Sequence, residues 1–184
     1  MNRELRWLPV TRINRPLIPL PLRDCLLDSG SLTSHLARYC KGHFNLKLQG
    51  QSWQRPLPEE TRILRLRRGS YALVREIHLR CDDIPWVYGR SIIPARTCTA
   101  TERRLAFWGQ RSLGNYLFSD RNTWRSEIEI AMISPQHRLF HLARKGMAGG
   151  STPLWGRRSI FYIKDKPLLV VEIFLTDLIP CLTT

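Results

Sequence analysis

The sequence predicts an α+β fold: one domain over 1–184, a six-stranded antiparallel sheet with helices packed on it. Three observations carry this. Apolar residues alternate with period two in six separate runs, tight turns join consecutive runs, and the helical patterns gather at the front and middle of the chain instead of alternating with the strands. A parallel sheet would need a helical crossover between neighbouring strands, and these turns are too short for one.

The first 40 residues read as helical after a proline-rich lead, with a short helix in "LRDCLLD" and a second in "LTSHLARYC" that Ser31 can cap. From His43 the period becomes two. "HFNLKLQG", "YALVREIHLR" (71–80) and "WVYGRSII" (86–93) alternate, and "CDDIP" joins the last two as a hairpin. "TERRLAFWGQRSLGNYLF" spaces Leu105, Trp108, Leu113 and Leu117 as two short helices broken near Gly109. "WRSEIEIAM" (124–132), "RRSIFYI" (157–163) and "KPLLVVEIFL" (166–175) complete the strands, the last two joined through "KDK". The segment 134–153 ends in "GMAGGSTP" and reads as a mobile loop or an inserted helix with a glycine hinge.

Composition limits the function classes. The chain is 43% hydrophobic and 9% aromatic, too apolar for a disordered polypeptide, and has nothing near the roughly 20 uninterrupted apolar residues of a membrane span. Pro16 to Leu22 is apolar but short, broken by three prolines and followed by Arg23 and Asp24, which makes a poor signal peptide. A cytoplasmic monomer is expected. Five cysteines without a CxxC pair read as reduced thiols filling small apolar spaces. The formal charge of +14 raises nucleic acid or an anionic surface as partners, and "RILRLRRGS" (62–70) holds four arginines. The other cations are scattered without the aromatic interleaving of a single-strand binder, so no nucleic-acid partner and no membrane insertion are expected.

Three charges stand on the wrong faces. Along a strand, side chains alternate between faces, so Arg75 shares its face with Tyr71, Leu73, Ile77 and Leu79. Arg90 sits with Trp86, Tyr88 and Ile92, and Glu172 with Leu168, Val170 and Phe174. In "WRSEIEIAM", by contrast, Arg125, Glu127 and Glu129 share one parity and read as an ordinary solvated face. Burying an ion without a partner costs several kcal/mol, so the three must pair or meet a charged ligand. A structural ion pair would use Glu172 and one arginine and leave the other over. Two arginines and one glutamate also describe a pocket for a compact dianion that carries a hydroxyl. Gly89, beside Arg90, would let the backbone approach such a ligand, or mark a bulge.

The motifs "LVREIHL", "PWVYGRSIIP", "SLGNYLF", "EIEI" and "LWGRRSIFYIKDKPLLVVEIFL", in this order, resemble the chorismate lyase (chorismate pyruvate-lyase) family. The resemblance is densest from Tyr71 to Phe118 and from Trp155 to Leu175, and the stretch between "EIEI" and "LWGRRS" is longer here than the family pattern. It implies the six-stranded sheet, a ligand buried under helical flaps, and conversion of chorismate to 4-hydroxybenzoate and pyruvate without metal or organic cofactor, the committed step of ubiquinone synthesis. It further implies that Arg75 holds the ring carboxylate, Glu172 contacts the ring hydroxyl, and Arg90 beside Gly89 serves the enolpyruvyl carboxylate or its exit route. Backbone groups near Leu113 and Leu32 would complete the pocket. Arg90 and Glu172 are then the candidate catalytic residues.

Other readings are weaker on the same residues. His137 and His141 have helical metal-ligand spacing but no third ligand. "GMAGGS" lacks the lysine of a phosphate loop, and Trp108 and Trp155 read as packing residues. The rival function is a non-catalytic effector-binding domain of the same fold, as in bacterial transcription regulators. Such a regulator carries a winged helix ahead of the domain, for which 40 residues are too few.

Overall fold

The computed structural model describes residues 5–109 and 111–183. The described strands are β1 (Leu8–Pro9), β2 (Phe44–Gln54), β3 (Ala72–Cys81), β4 (Ile84–Pro94), β5 (Thr123–Arg125), β6 (Glu129–Ile133), β7 (Leu154–Ile163) and β8 (Lys166–Phe174). They form one sheet in the order β1-β6-β7-β8-β4-β3-β2, with β5 also paired to β7, and every pairing is antiparallel. Both expected hairpins are present. Lys164 and Asp165 between β7 and β8 have φ of 47° and 65°, the left-handed pair whose twist matches that of the flanking strands.

The count of six strands is corrected to eight for two reasons. The proline-rich lead supplies β1, which pairs Leu8 with Ile130. The run 124–132 breaks into β5 and β6, because its pairing with β7 slips by one residue: Arg125 lies opposite Phe161, but Glu129 lies opposite Arg158. A one-residue slip exchanges faces, so Arg125 and Glu129 point to opposite sides despite their shared parity.

The helices are α1 (Arg23–Leu27), α2 (Leu32–Ala37), α3 (Pro58–Ile63), α4 (Leu113–Ser119), α5 (Arg138–Ala143) and α6 (Ile179–Leu182). Ser31 caps α2 by accepting from the Ser34 N–H, and Ser112 caps α4 by accepting from the Asn115 N–H. The helical stretch ahead of α4 is a 3-10 segment, Ala100–Phe107, and Gly109 at φ +59° separates the two. Helix α3 escaped the periodicity reading. Its signature is a proline at the first turn with Glu60 at the third position, whose carboxylate accepts from the Leu57 N–H at 2.8 Å.

Helices cover both faces of the sheet. On the back, α3 and α5 pack Leu57, Leu139 and Phe140 against Val74, Ile92, Val171 and Ile173. The front carries two apolar clusters. One joins α1 and α2 to Leu79, Val87 and Phe174, and the other joins α4 to Leu73, Ile93, Phe161 and Leu168. The reading of all five cysteines as reduced thiols is also corrected. Cys40, in the connection from α2 to β2, is disulfide-bonded to Cys81 at the end of β3, with Cα atoms 5.6 Å apart. Cys25, Cys98 and Cys181 are free thiols. A pair 41 residues apart comes together only once β2 lies on β3, which no local spacing shows.

Candidate functional site

Between the two front clusters the sheet floor becomes polar. Register places Ile77, Gly89, Glu172 and Arg157 side by side across β3, β4, β8 and β7, and the next row of the same face is Arg75, Ser91, Val170 and Ser159. At roughly 4.8 Å per strand, each row is about 14 Å long. Small residues hold its middle, leaving a cavity above Gly89 and Ser91. The roof is the start of α2 (Leu32, Thr33) and α4 (Ser112, Leu113, Gly114, Leu117). The two roof helices are joined at their caps, where Ser31 Oγ donates to Asn115 Oδ1 at 3.2 Å and Ser112 Oγ donates to Thr33 Oγ1 at 3.3 Å.

A Cβ on Gly89 would lie 2.8 Å from Ile77 Cγ1, closer than real Cβ contacts come. Gly89→Ala is therefore expected to push Ile77 aside at a cost of about 1–3 kcal/mol. Because both residues line the cavity, affinity for an aromatic carboxylate should fall as well, measured by calorimetry beside a urea melt.

Three guanidinium groups and one carboxylate line the cavity. Arg75 is 1% exposed, and no carboxylate pairs with it among the described residues. Its Nη2 donates to Gly109 O at 2.9 Å and Arg111 O at 2.8 Å, holding the segment that leads into α4. Burial lowers its pKa to about 10, so it stays charged at neutral pH. Arg157 is equally buried; its Nε donates to Glu172 Oε2 at 2.5 Å, and its Nη1 donates to Cys25 O and Asp28 O at 2.7 Å each. Arg125 donates from Nε to Ser159 Oγ at 2.8 Å and from Nη1 to Ser29 O at 2.9 Å, and lies over the Phe161 ring at 5.1 Å. Burial, then the nearby Arg157, bring its pKa down to about 10. The lining thus carries two cations in excess, and its arginines hold the connections ahead of both roof helices.

The structure brings Arg75, Gly89, Glu172, Leu113 and Leu32 to this one cavity. Arg90 is not among them, which corrects its placement. Neighbours in a strand point to opposite faces, so with Gly89 on the floor Arg90 must lie on the back. There its Nε and Nη2 donate to the two oxygens of Glu60 at 2.7 and 3.1 Å, and its Nη1 to Glu76 Oε1 at 2.9 Å. Burial disfavours its charge, but the Glu60 bonds outweigh that and raise its pKa above the usual guanidinium value.

Sequence reasoning missed Arg157 and Arg125. Arg157 carried a readable signal, a lone charge on the parity of Trp155, Phe161 and Ile163. Parity alone puts Arg125 on the solvated face, and the slip after β5 hides its true side. His137 spends Nδ1 on capping α5, accepting from the Leu139 N–H at 3.2 Å. Among the described residues no group of three or more His, Cys, Asp and Glu side chains could hold a metal ion.

A helix-covered antiparallel sheet whose enclosed cavity has two cations in excess defines a binder of small anions. The chain belongs to the chorismate lyase family, whose family model matches residues 1–180. It is 40% identical over 154 residues to a "Probable chorismate pyruvate-lyase" of Methylococcus capsulatus, covering 84% of this chain and 94% of that protein. A "Probable chorismate pyruvate-lyase" of Coxiella burnetii is 35% identical, covering 95% and 93%. In fold the chain is similar to the effector domain of PhnF from Mycobacterium smegmatis, with a TM-score of 0.54 at 21% identity over 82% of this chain and 91% of that one.

Proposed function

We propose that this chain is a chorismate pyruvate-lyase that converts chorismate to 4-hydroxybenzoate and pyruvate without metal or organic cofactor, at the committed step of ubiquinone synthesis. The observation that carries the reading is the enclosed cavity where three arginines surround one glutamate, because chorismate brings two carboxylates and a ring hydroxyl. Arg75 takes the ring carboxylate and Glu172 accepts from the ring hydroxyl. Arg125 and Arg157, across the floor, take the enolpyruvyl carboxylate in place of Arg90. Helices α2 and α4 act as flaps, with backbone groups near Leu32 and Leu113 closing over the ligand. A monomeric catalyst and a cytoplasmic location belong to the same proposal.

The reaction breaks the ether bond at C3, and the hydrogen on C4 passes to the methylene of the departing enolpyruvyl group, giving pyruvate and an aromatic ring. Aromatisation drives it, so positioning and charge stabilisation are what the protein must supply. The guanidinium groups of Arg125 and Arg157 stabilise the negative charge that develops on the enolpyruvyl oxygen.

Incubating the protein with chorismate should give the ultraviolet absorbance of 4-hydroxybenzoate together with equimolar pyruvate. Binding of chorismate without turnover would instead return the non-catalytic effector-domain reading. Arg75→Ala should weaken 4-hydroxybenzoate binding by about 2 kcal/mol or more, read by calorimetry, and unchanged binding would remove Arg75 from the ligand.

A further inference from the structure

One end of the sheet gathers the β2–β3 connection (55–71), the exit of β4 and the β7–β8 turn, as the pairs Gln54–Ala72, Ala72–Pro94 and Ile163–Lys166 show. On that connection Arg55, Arg65, Arg67 and Arg68 are exposed, and none forms an ion pair among the described residues. The acids of the same connection are used inside the protein: Glu60 pairs with buried Arg90, and Glu59 faces His137 at 3.7 Å. The charge of these four arginines is therefore not neutralised by the acids of their own connection.

The segment 62–68 separates two shallow grooves. One sets Arg55 and Arg68 beside Pro56, Pro58 and Leu66. The other sets Arg65, Arg96 and Lys166, with Asp165 as its one acid, beside Ile160 and Pro167. Two large aromatics stand exposed at the same end, Tyr71 at 55% and Trp53 at 47%, with the Arg55 guanidinium 5.7 Å from the Tyr71 ring centre.

We propose that this end of the sheet is a docking surface for an anionic phospholipid bilayer. Guanidinium forks chelate phosphate oxygens, exposed Trp and Tyr rings settle at the headgroup level, and the apolar groove floors accept the first acyl carbons. Nucleic acid would use the charges but leave the apolar floors without a role, so the combination favours a lipid interface. None of these residues lines the front cavity, so docking leaves it free to exchange ligand. The inference goes beyond the proposed chemistry and stands without it.

Flotation of the full chain tests it, using phosphatidylcholine vesicles with and without a large fraction of phosphatidylglycerol. The protein should float with the anionic vesicles at low salt, stay behind with the neutral ones and come off at high salt. The triple substitution Arg65→Glu, Arg67→Glu and Arg68→Glu should cut the bound fraction at least about tenfold while the melting temperature stays unchanged. Equal flotation with both vesicle types, none with either, or full binding by the triple variant would overturn the assignment. So would a duplex oligonucleotide that strips the protein from anionic vesicles at equal phosphate, since nucleic acid would then be the better ligand.

Discussion

Glu172→Ala is expected to abolish pyruvate release from chorismate while the protein remains folded. Glu172 is the only carboxylate on the described cavity lining, and its neighbour across β7 is Arg157, whose Nε it accepts at 2.5 Å. Removing it takes away the acceptor proposed for the ring hydroxyl and adds a third uncompensated cation to the lining. The conservative Glu172→Gln separates two contributions. If the carboxylate handles a proton, the amide should lose roughly 10²–10⁴-fold in turnover, the usual range for acid–base catalysis. If it only accepts a hydrogen bond from the hydroxyl, glutamine should retain most of the rate. Near-normal pyruvate release by Glu172→Ala would reduce Glu172 to a structural partner of Arg157.

Arg90→Ala should cost about 3–5 kcal/mol of folding stability in urea denaturation and leave turnover per folded molecule nearly unchanged. The loss arises because Glu60 is 1% exposed and has both oxygens on Arg90, so removing the guanidinium strands a buried carboxylate. That carboxylate also accepts the Leu57 N–H, so the damage reaches the start of α3. A variant that melted normally but lost turnover would put Arg90 back on the substrate.

These two residues also show how far the sequence could be read. Alternation found the strands, the cap at Ser31 found α2, and the lone charges Arg75 and Glu172 were found on the face they do share. Arg90 gave the same signal, because parity says which residues of one strand lie together but not which side of the sheet that is. Only register decides, by setting Gly89 beside Glu172 and Arg90 beside Val171. Arg125 was hidden for a related reason. The slip between β5 and β6 leaves no mark in the apolar pattern, yet it carries Arg125 to the cavity and Glu129 to Arg158 on the other face. The Cys40–Cys81 bond likewise depends on which strands become neighbours.

A guanidinium has five N–H groups and can serve two masters at once. Among the described residues, Arg75 uses Nη2 on Gly109 O and Arg111 O and keeps Nη1 in reserve, and Arg157 uses Nη1 on Cys25 O and Asp28 O and keeps Nη2. A lysine at either position would keep the charge but lack the geometry to grip peptide oxygens on one side and a guest on the other. In the proposed binding mode, selectivity and enclosure are therefore genetically inseparable: drift that retunes which acid is accepted also resets how tightly the door shuts.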